Sequence, residues 1–228
     1  MPPHTSIILP VLNEDMHSVA CLHALQPLRA QACELIVVDG GSRDQTVALS
    51  KPLADLVIVS SRGRAAQMNA GAALARGEIL WFLHADSLPP PDAVDLMRAA
   101  LAEPNRHWGR FDVQLSGRQP LLQMVETLMN LRSRLSGIAT GDQAYLVRRE
   151  VFERIGGYPA IALMEDIALS RRLKRHGRPV CLHQRIQTSS RRWERDGILR
   201  TILLMWRLRL AYFLGADPER LARLYDRA

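Results

Sequence analysis

The sequence predicts one α/β domain, a mostly parallel central sheet flanked by helices, with a helical extension at its C-terminal end. Three observations predict it. Strand-like and helix-like segments alternate through the first half of the chain. The candidate strands are continuous apolar runs rather than alternating ones, the pattern of strands buried on both faces of a parallel sheet. Two of them, Glu34–Asp39 and Ile79–Leu83, run out at carboxylates, Asp39 and Asp86. Parallel topology puts both on one edge of the sheet, outside the carboxyl ends of the strands, where open α/β sheets bind ligands.

The elements follow in order. Ser6–Leu9 reads as the first strand and Met16–Gln31 as an amphipathic helix. Glu34–Asp39 is the second strand; Asp44–Lys51 continues as a helix, with Ser42 or Asp44 as its N-cap. Leu56–Ser60 is a short third strand, and Arg64–Arg76 an alanine-rich helix with Gly77 as its C-cap. Ile79–Leu83 is the fourth strand and Asp92–Ala102 the next helix. This β-α-β-α order implies right-handed crossovers. After about residue 105 the pattern changes: Gly109–Leu115 and Gln143–Arg148 read as strands around a helix at Leu121–Leu135. Asp166–His176 is a helix that Gly177 closes, and Pro179–Leu182 and Ile186–Ser189 are short strands.

At 228 residues and 47% hydrophobic content the chain can bury one core, and its 23% charged residues are too few for disorder. The net charge of +7, with a pI of about 10, suits an anionic ligand, a membrane surface or nucleic acid. Aromatics are only 5% and no basic stripe is interleaved with stacking residues, so nucleic acid is set aside. Cys21, Cys33 and Cys181 show neither metal spacing nor a disulfide framework, which points to a cytoplasmic setting. No secretory signal is expected, and no stretch reaches the about 18 uncharged apolar residues of a spanning helix.

Candidate chemistry gathers at the strand ends. After Asp39 comes Gly40-Gly41-Ser42-Arg43-Asp44, where adjacent glycines let backbone approach a ligand and the next helix offers free N–H groups to anions. A tight turn would use the same glycines. Glu165-Asp166 opens a helix, where the macrodipole alone favours acids. The preceding Gly156-Gly157-Tyr158-Pro159 loop can equally bring the pair to the ligand edge.

Five segments, in order, resemble family 2 glycosyltransferases of the GT-A fold. They are Ser6–Glu14 with its Pro-x-x-Asn-Glu turn, Ile36–Thr46, Arg64–Gly71 with Asn69-Ala70-Gly71, Arg148-Arg149-Glu150-Val151-Phe152 through Gly156-Gly157-Tyr158, and Glu165-Asp166 with Leu169 and Arg172-Leu173. The chain is most similar to small bacterial members found near radical-SAM proteins. The resemblance implies a single GT-A (Rossmann-like) domain over residues 1–195, with 1–104 as the nucleotide-sugar half and 105–195 as the acceptor half. Residues 196–228 are then the C-terminal helical extension.

The resemblance also implies roles. Pro10, Leu12, Glu14, Asp39, Arg64, Asn69 and Asp86 would bind a nucleotide-diphosphate sugar, a UDP-sugar being favoured. Asp166 would be the general base of an inverting transfer to an acceptor hydroxyl, and Glu165 would support it. The family's D-x-D metal motif falls on His84-Ala85-Asp86, so one carboxylate, Asp86, is left for Mg²⁺ or Mn²⁺, with His183 a second candidate ligand. Asp142, Arg192 and Trp193 would face acceptor or diphosphate, although Ser189 stands where the family's Q-x-x-R-W element has Gln. The apolar segment 197–215, with Arg200, Arg207 and Arg209 among its large side chains, suits a peripheral membrane contact and a lipid-linked acceptor, or a helix packed on the domain or on a second subunit of a homo-oligomer. Two other functions compete: a sugar-phosphate nucleotidyltransferase, which Pro10–Glu14 opposes because it lacks a Gly-rich basic loop, and a lapsed nucleotide-sugar-binding module, which His84 favours and Glu165-Asp166 opposes.

Overall fold

The structure, a computed structural model, describes residues 4–226. Its strands are β1 (Thr5–Val11), β2 (Cys33–Asp39), β3 (Leu56–Val59), β4 (Ile79–Phe82), β5 (Trp108–Leu115), β6 (Tyr145–Arg148) and β7 (Val180–Thr188). They form one sheet in the order β3-β2-β1-β4-β6-β5-β7. β6 is antiparallel to both neighbours, and every other pairing is parallel. The fold is thus the expected α/β domain with a mostly parallel sheet.

The apolar runs are continuous because both sheet faces are covered. Along β1 and β2, Ile7, Leu9, Leu35 and Val37 join Trp81 in a core with Leu22 and Leu25 of α1 (Asp15–Arg29) and Met97 of α4 (Ala93–Ala100). Ile8, Ile36 and Val38 join Phe82 on the other face, against Met68 of α3 (Arg64–Leu74), Phe152 of α6 (Arg149–Arg154) and Leu169 of α7 (Glu165–Leu173).

A fork in the sheet positions the candidate site. β6 pairs with β5 only from Trp108 to Arg110. Beyond Arg110, side chains of α5 (Pro120–Ser136) take the place of a strand. The Asn130 amide accepts from the Val113 N–H and donates to the Val113 carbonyl, both at 2.9 Å, and Glu126 accepts from the Leu115 N–H at 2.9 Å. Buried backbone groups that lost a ladder are thereby satisfied. Arg110, fully buried, pairs with Asp112, whose other oxygen takes Arg134 at 2.6 Å. The gap seats a 3₁₀ turn, Gly141–Gln143, where the Gln143 amide donates to Ser133 at 3.0 Å and Asn130 at 3.2 Å. Because β6 runs antiparallel, this turn precedes its start and lies over the carboxyl end of β4, where Tyr145 pairs with Phe82.

Several expected boundaries move. α3 stops at Leu74, and Gly77 is no helix cap: a Cβ there would lie 2.6 Å from the Ser6 nitrogen, so close strand approach demands the glycine. The second helix is only α2 (Thr46–Ser50), and its N-cap is Gln45, neither Ser42 nor Asp44; Asp44, one residue further out, accepts from the Thr46 N–H at 3.0 Å. Gln143 falls in the 3₁₀ turn, outside β6. The two late strands are one, β7, with a register shift between Phe111 and Asp112 of its partner. α7 ends at Leu173 and passes into a 3₁₀ turn that Gly177 (φ 132°) closes. Helices α6 and α8 (Arg191–Asp196), each only six residues long, are too short to show a period, whereas α10 (Pro218–Asp226) falls within the expected helical extension. The extension carries α9 (Ile198–Phe213) and α10, and docks Leu208 and Leu221 onto Met164 and Ile167 at the start of α7.

Candidate active site

Two latched turns form one wall. Asn13 sits at φ 51°, with its N–H donating to Ser42 Oγ at 2.8 Å and its Oδ1 accepting from the Arg43 N–H at 2.9 Å. The Glu14 N–H donates to Thr46 Oγ1 at 2.9 Å. Asp39, 1% exposed, accepts from the backbone N–H groups of Gly41 (2.8 Å) and Ser42 (2.9 Å) and from the Ser42 hydroxyl. Its carboxylate therefore organises the βα turn rather than facing open space. Buried Gln67 donates to the carbonyls of Val11 (2.8 Å) and Val38 (2.7 Å), pinning the ends of β1 and β2. The sequence reading missed Gln67, since nothing in its helical context marks it as a latch between two strands.

Across the edge lies a cluster built on the 3₁₀ turn. His84 Nδ1 is 3.4 Å from Asp142 Oδ1. Gly141 lies under the imidazole so closely that a Cβ would sit 2.5 Å from its Cε1 and Nε2. The Gly141 N–H donates to Asp166 Oδ2 at 3.1 Å, and the Ile167 N–H to Asp166 Oδ1 at 2.6 Å. Tyr145 Oη donates to the Asp166 carbonyl at 2.9 Å. Met164 (φ 69°) and Ala144 (φ 46°) bend the chain into and out of this cluster. Left-handed backbone at non-glycine residues persists only where surrounding contacts impose it, and such strain collects at functional sites.

Electrostatics separate the acids. Burial of Glu165 and the neighbouring Asp166 push the Glu165 carboxyl up to about 7, against the opposing pull of Arg64. Burial also disfavours the charged form of Asp142, yet its bond to His84, with Arg64 and Arg209 nearby, holds it below the usual range. Arg64, exposed at the start of α3, loses some solvation, but Tyr225, Glu165, Asp142 and Asp166 outweigh that and keep it more firmly protonated. Since folded Glu165 holds its proton above the ordinary 4.5, its stabilising contribution is full below about pH 4.5 and is lost as pH rises through 7. Glu165→Gln removes that loss. It should stabilise the fold by roughly 2–3 kcal/mol more at about pH 8 than at about pH 5, measured by urea unfolding at both.

Other expected site residues lie elsewhere. Asn69 latches the Gly156–Tyr158 loop, its amide accepting from the Tyr158 N–H and donating to the Tyr158 carbonyl at 2.9 Å each. Trp193 packs against the apolar cluster of Val113, Leu122 and Ile198. Arg192 lies 3.6 Å over the Tyr225 ring and donates to the Tyr225 carbonyl at 3.0 Å. His183 is exposed beside Arg134, 3.1 Å from its Nη2. Asp86 stands near Thr188, at 3.5 Å, the far end of β7 from His183. His183 lies at the irregularity of β7, about 12 Å of strand from Thr188, so the two do not meet around one ion.

Among the described residues no group of three or more His, Cys, Asp or Glu gathers around a cation. Asp86 is the acid at the end of β4 that a hard cation fits, one carboxylate sufficing where phosphates complete the shell. His84 is already engaged by Asp142 and Gly141.

The model of "Glycosyl transferase family 2" matches residues 6–156, well over half of the chain and all of the first wall. The chain belongs to glycosyltransferase family 2. Among curated proteins this family 2 chain is 25% identical over 237 residues to "Probable glycosyltransferase YdaM" of Bacillus subtilis, covering 93% of this chain and 55% of that one. It is 35% identical over 109 residues to a "PGL/p-HBAD biosynthesis glycosyltransferase" of Mycobacterium bovis, covering 44% and 43%. The chain thus spans about half the length of these relatives. Among solved structures, the mannosyltransferase PcManGT of Pyrobaculum calidifontis, in complex with GDP-Man and Mn²⁺, is similar at a TM-score of 0.67 and 21% identity, over 98% of this chain and 69% of that one. Glucosyl-3-phosphoglycerate synthase of Mycobacterium tuberculosis, with Mn²⁺, UDP and glucosyl-3-phosphoglycerate, is similar at 0.62 and 20%, over 82% and 71%. These likenesses establish the GT-A fold.

Proposed function

We propose that this family 2 chain is an inverting glycosyltransferase that moves a sugar from a nucleotide-diphosphate donor, a UDP-sugar being favoured, to an acceptor hydroxyl. The observation that carries the reading is the meeting of Asp166, Asp142 and His84 around Gly141 beside the strand end that bears Asp86. The latched turns at Pro10–Glu14 and Asp39–Ser42 frame the nucleotide, with Pro10, Leu12 and Glu14 on its side. Asp39 positions that frame. Arg64 faces the diphosphate, where a guanidinium fork suits phosphate oxygens.

Asp166, oriented by two backbone donors, takes the proton of the acceptor hydroxyl as its oxygen attacks the anomeric carbon. The bond to the diphosphate oxygen breaks, and the leaving group departs with the charge. Asp86 would hold Mg²⁺ or Mn²⁺, which when bound neutralises part of that charge. Asp142 and Arg192 stand on the acceptor side, Arg192 through its stack on Tyr225. The exposed apolar side chains of α9 support a lipid-linked acceptor.

The test is a thermal-shift panel of UDP-, GDP-, CMP- and dTDP-sugars with and without Mn²⁺. A ligand at about 100 times its Kd adds about 2.7 kcal/mol to native stability. One donor class should raise the melting temperature in a metal-dependent way, and Asp86→Ala should abolish the metal-dependent part. Silence across the panel would count against a donor of these classes, and a donor shift without turnover would favour a lapsed binding module.

A further inference from the structure

α5 and α9 each show solvent an apolar stripe that the fold does not use. On α5 the exposed residues are Leu121, Met124, Leu128, Leu131 and Leu135. At about 100° per residue they fall within an arc of about 80°. On α9 they are Leu199, Leu203, Trp206, Leu210 and Phe213, again within an arc of about 80°. Leu203 and Trp206 are 71% and 70% exposed. Scattered exposed apolar residues are ordinary, but aligned ones on adjoining helices are not.

The stripes form one face. Val125 and Met129 of α5 meet Ile198 and Ile202 of α9 in a shared core, and on each helix the exposed arc adjoins the arc that makes this contact. Leu121 and Leu199, one from each stripe, line the same open cavity.

Charge tells what the face meets. On α9, Arg200 and Arg207 flank the stripe on its outer side, while Arg209 lies on the side towards α5, beside Arg132. α9 contains no acidic residue, and the one acid of α5, Glu126, is turned inward to Leu115 and Arg185. A second copy stacked through this face would bring arginines together with no outward carboxylate on either helix to pair them, Glu194 at the rim being bonded to Ser190. An anionic lipid surface matches the arrangement: apolar side chains enter the acyl boundary, Trp206 sits at headgroup depth, and Arg200 and Arg207 reach phosphates along the outer flank of α9. No described helix is long and apolar enough to cross a membrane, which leaves this face to lie in the interface.

We infer that α5 and α9 together form a two-helix platform that seats the protein on an anionic bilayer, beside the candidate active site that Arg132 of α5 and Arg209 of α9 border. The platform stands on the surface alone, whatever the chemistry of the active site.

The experiment is co-sedimentation of the full chain with phosphatidylcholine vesicles, with and without phosphatidylglycerol, at low and high salt. Wild type should bind the anionic vesicles, less so at high salt. L128E/L131E on α5 and L203E/W206E on α9 should each weaken binding by at least about tenfold, because charged side chains replace two buried apolar ones. Both variants alter only exposed positions, and unchanged unfolding midpoints would confirm their folds. Failure of wild type to bind anionic vesicles would overturn the inference. So would undiminished binding by the α5 variant, or a dimer in solution that these variants dissociate while vesicles remain unbound.

Discussion

Asp166→Asn should reduce turnover by about 10³-fold while leaving donor binding intact, because a positioned general base supplies roughly 10²–10⁴ of rate. The amide keeps the shape of the carboxylate and an oxygen for one backbone N–H. Its NH₂ would face the other donor, Gly141 N–H or Ile167 N–H, so some reorientation accompanies the lost base. The decisive comparison is therefore between variants. Glu165→Gln should retain far more activity than Asp166→Asn, since Glu165 is 7% exposed and holds its proton near neutral pH. Single-turnover rates and donor-dependent thermal shifts, measured on both variants, separate chemistry from binding. Full turnover by Asp166→Asn would remove Asp166 as the base.

The sheet and the strand-end acids were legible because they rest on short-range pattern. A run such as Ile79–Leu83 can be apolar throughout only where both faces are covered, and both are. Asp86, Asp142 and Asp166 were legible because their motifs sit at strand ends and helix starts. What escaped the sequence depends on contacts between distant segments. Asn69 carries a motif that marks position without saying whether its amide meets a ligand or Tyr158. Trp193 reads as an acceptor platform until α8 turns it towards Leu122. His183 and Asp86 read as possible partners until β7 proves continuous, with His183 at its bulge and Asp86 beside its last residue, Thr188. The α5 stripe was hidden for another reason: the helix is apolar on an outward arc as well as an inward one, and periodicity alone does not say which arc meets the core.

Gly141 is the residue whose importance only the assembled site reveals, and Gly141→Ala should lower kcat by about 10²-fold, the effect of roughly 1 Å of misplacement. Its backbone does not demand glycine, for Gly141 is absent from the positive-φ positions. Space demands it. An added methyl would sit 2.5 Å from two atoms of the His84 ring, well inside contact distance. Either the imidazole swings away from Asp142 or the 3₁₀ turn lifts off the end of β4. The first breaks the bond that holds Asp142 ionised. The second withdraws the N–H that fixes Asp166 Oδ2. Both reach the chemistry, and neither touches the turns that frame the nucleotide, so KM for the donor should change little beside kcat. The double variant Gly141→Ala/His84→Ala relieves the clash. If it regains turnover over Gly141→Ala alone, the glycine serves the His84 contact; if it does not, the turn itself is what Gly141 holds in place.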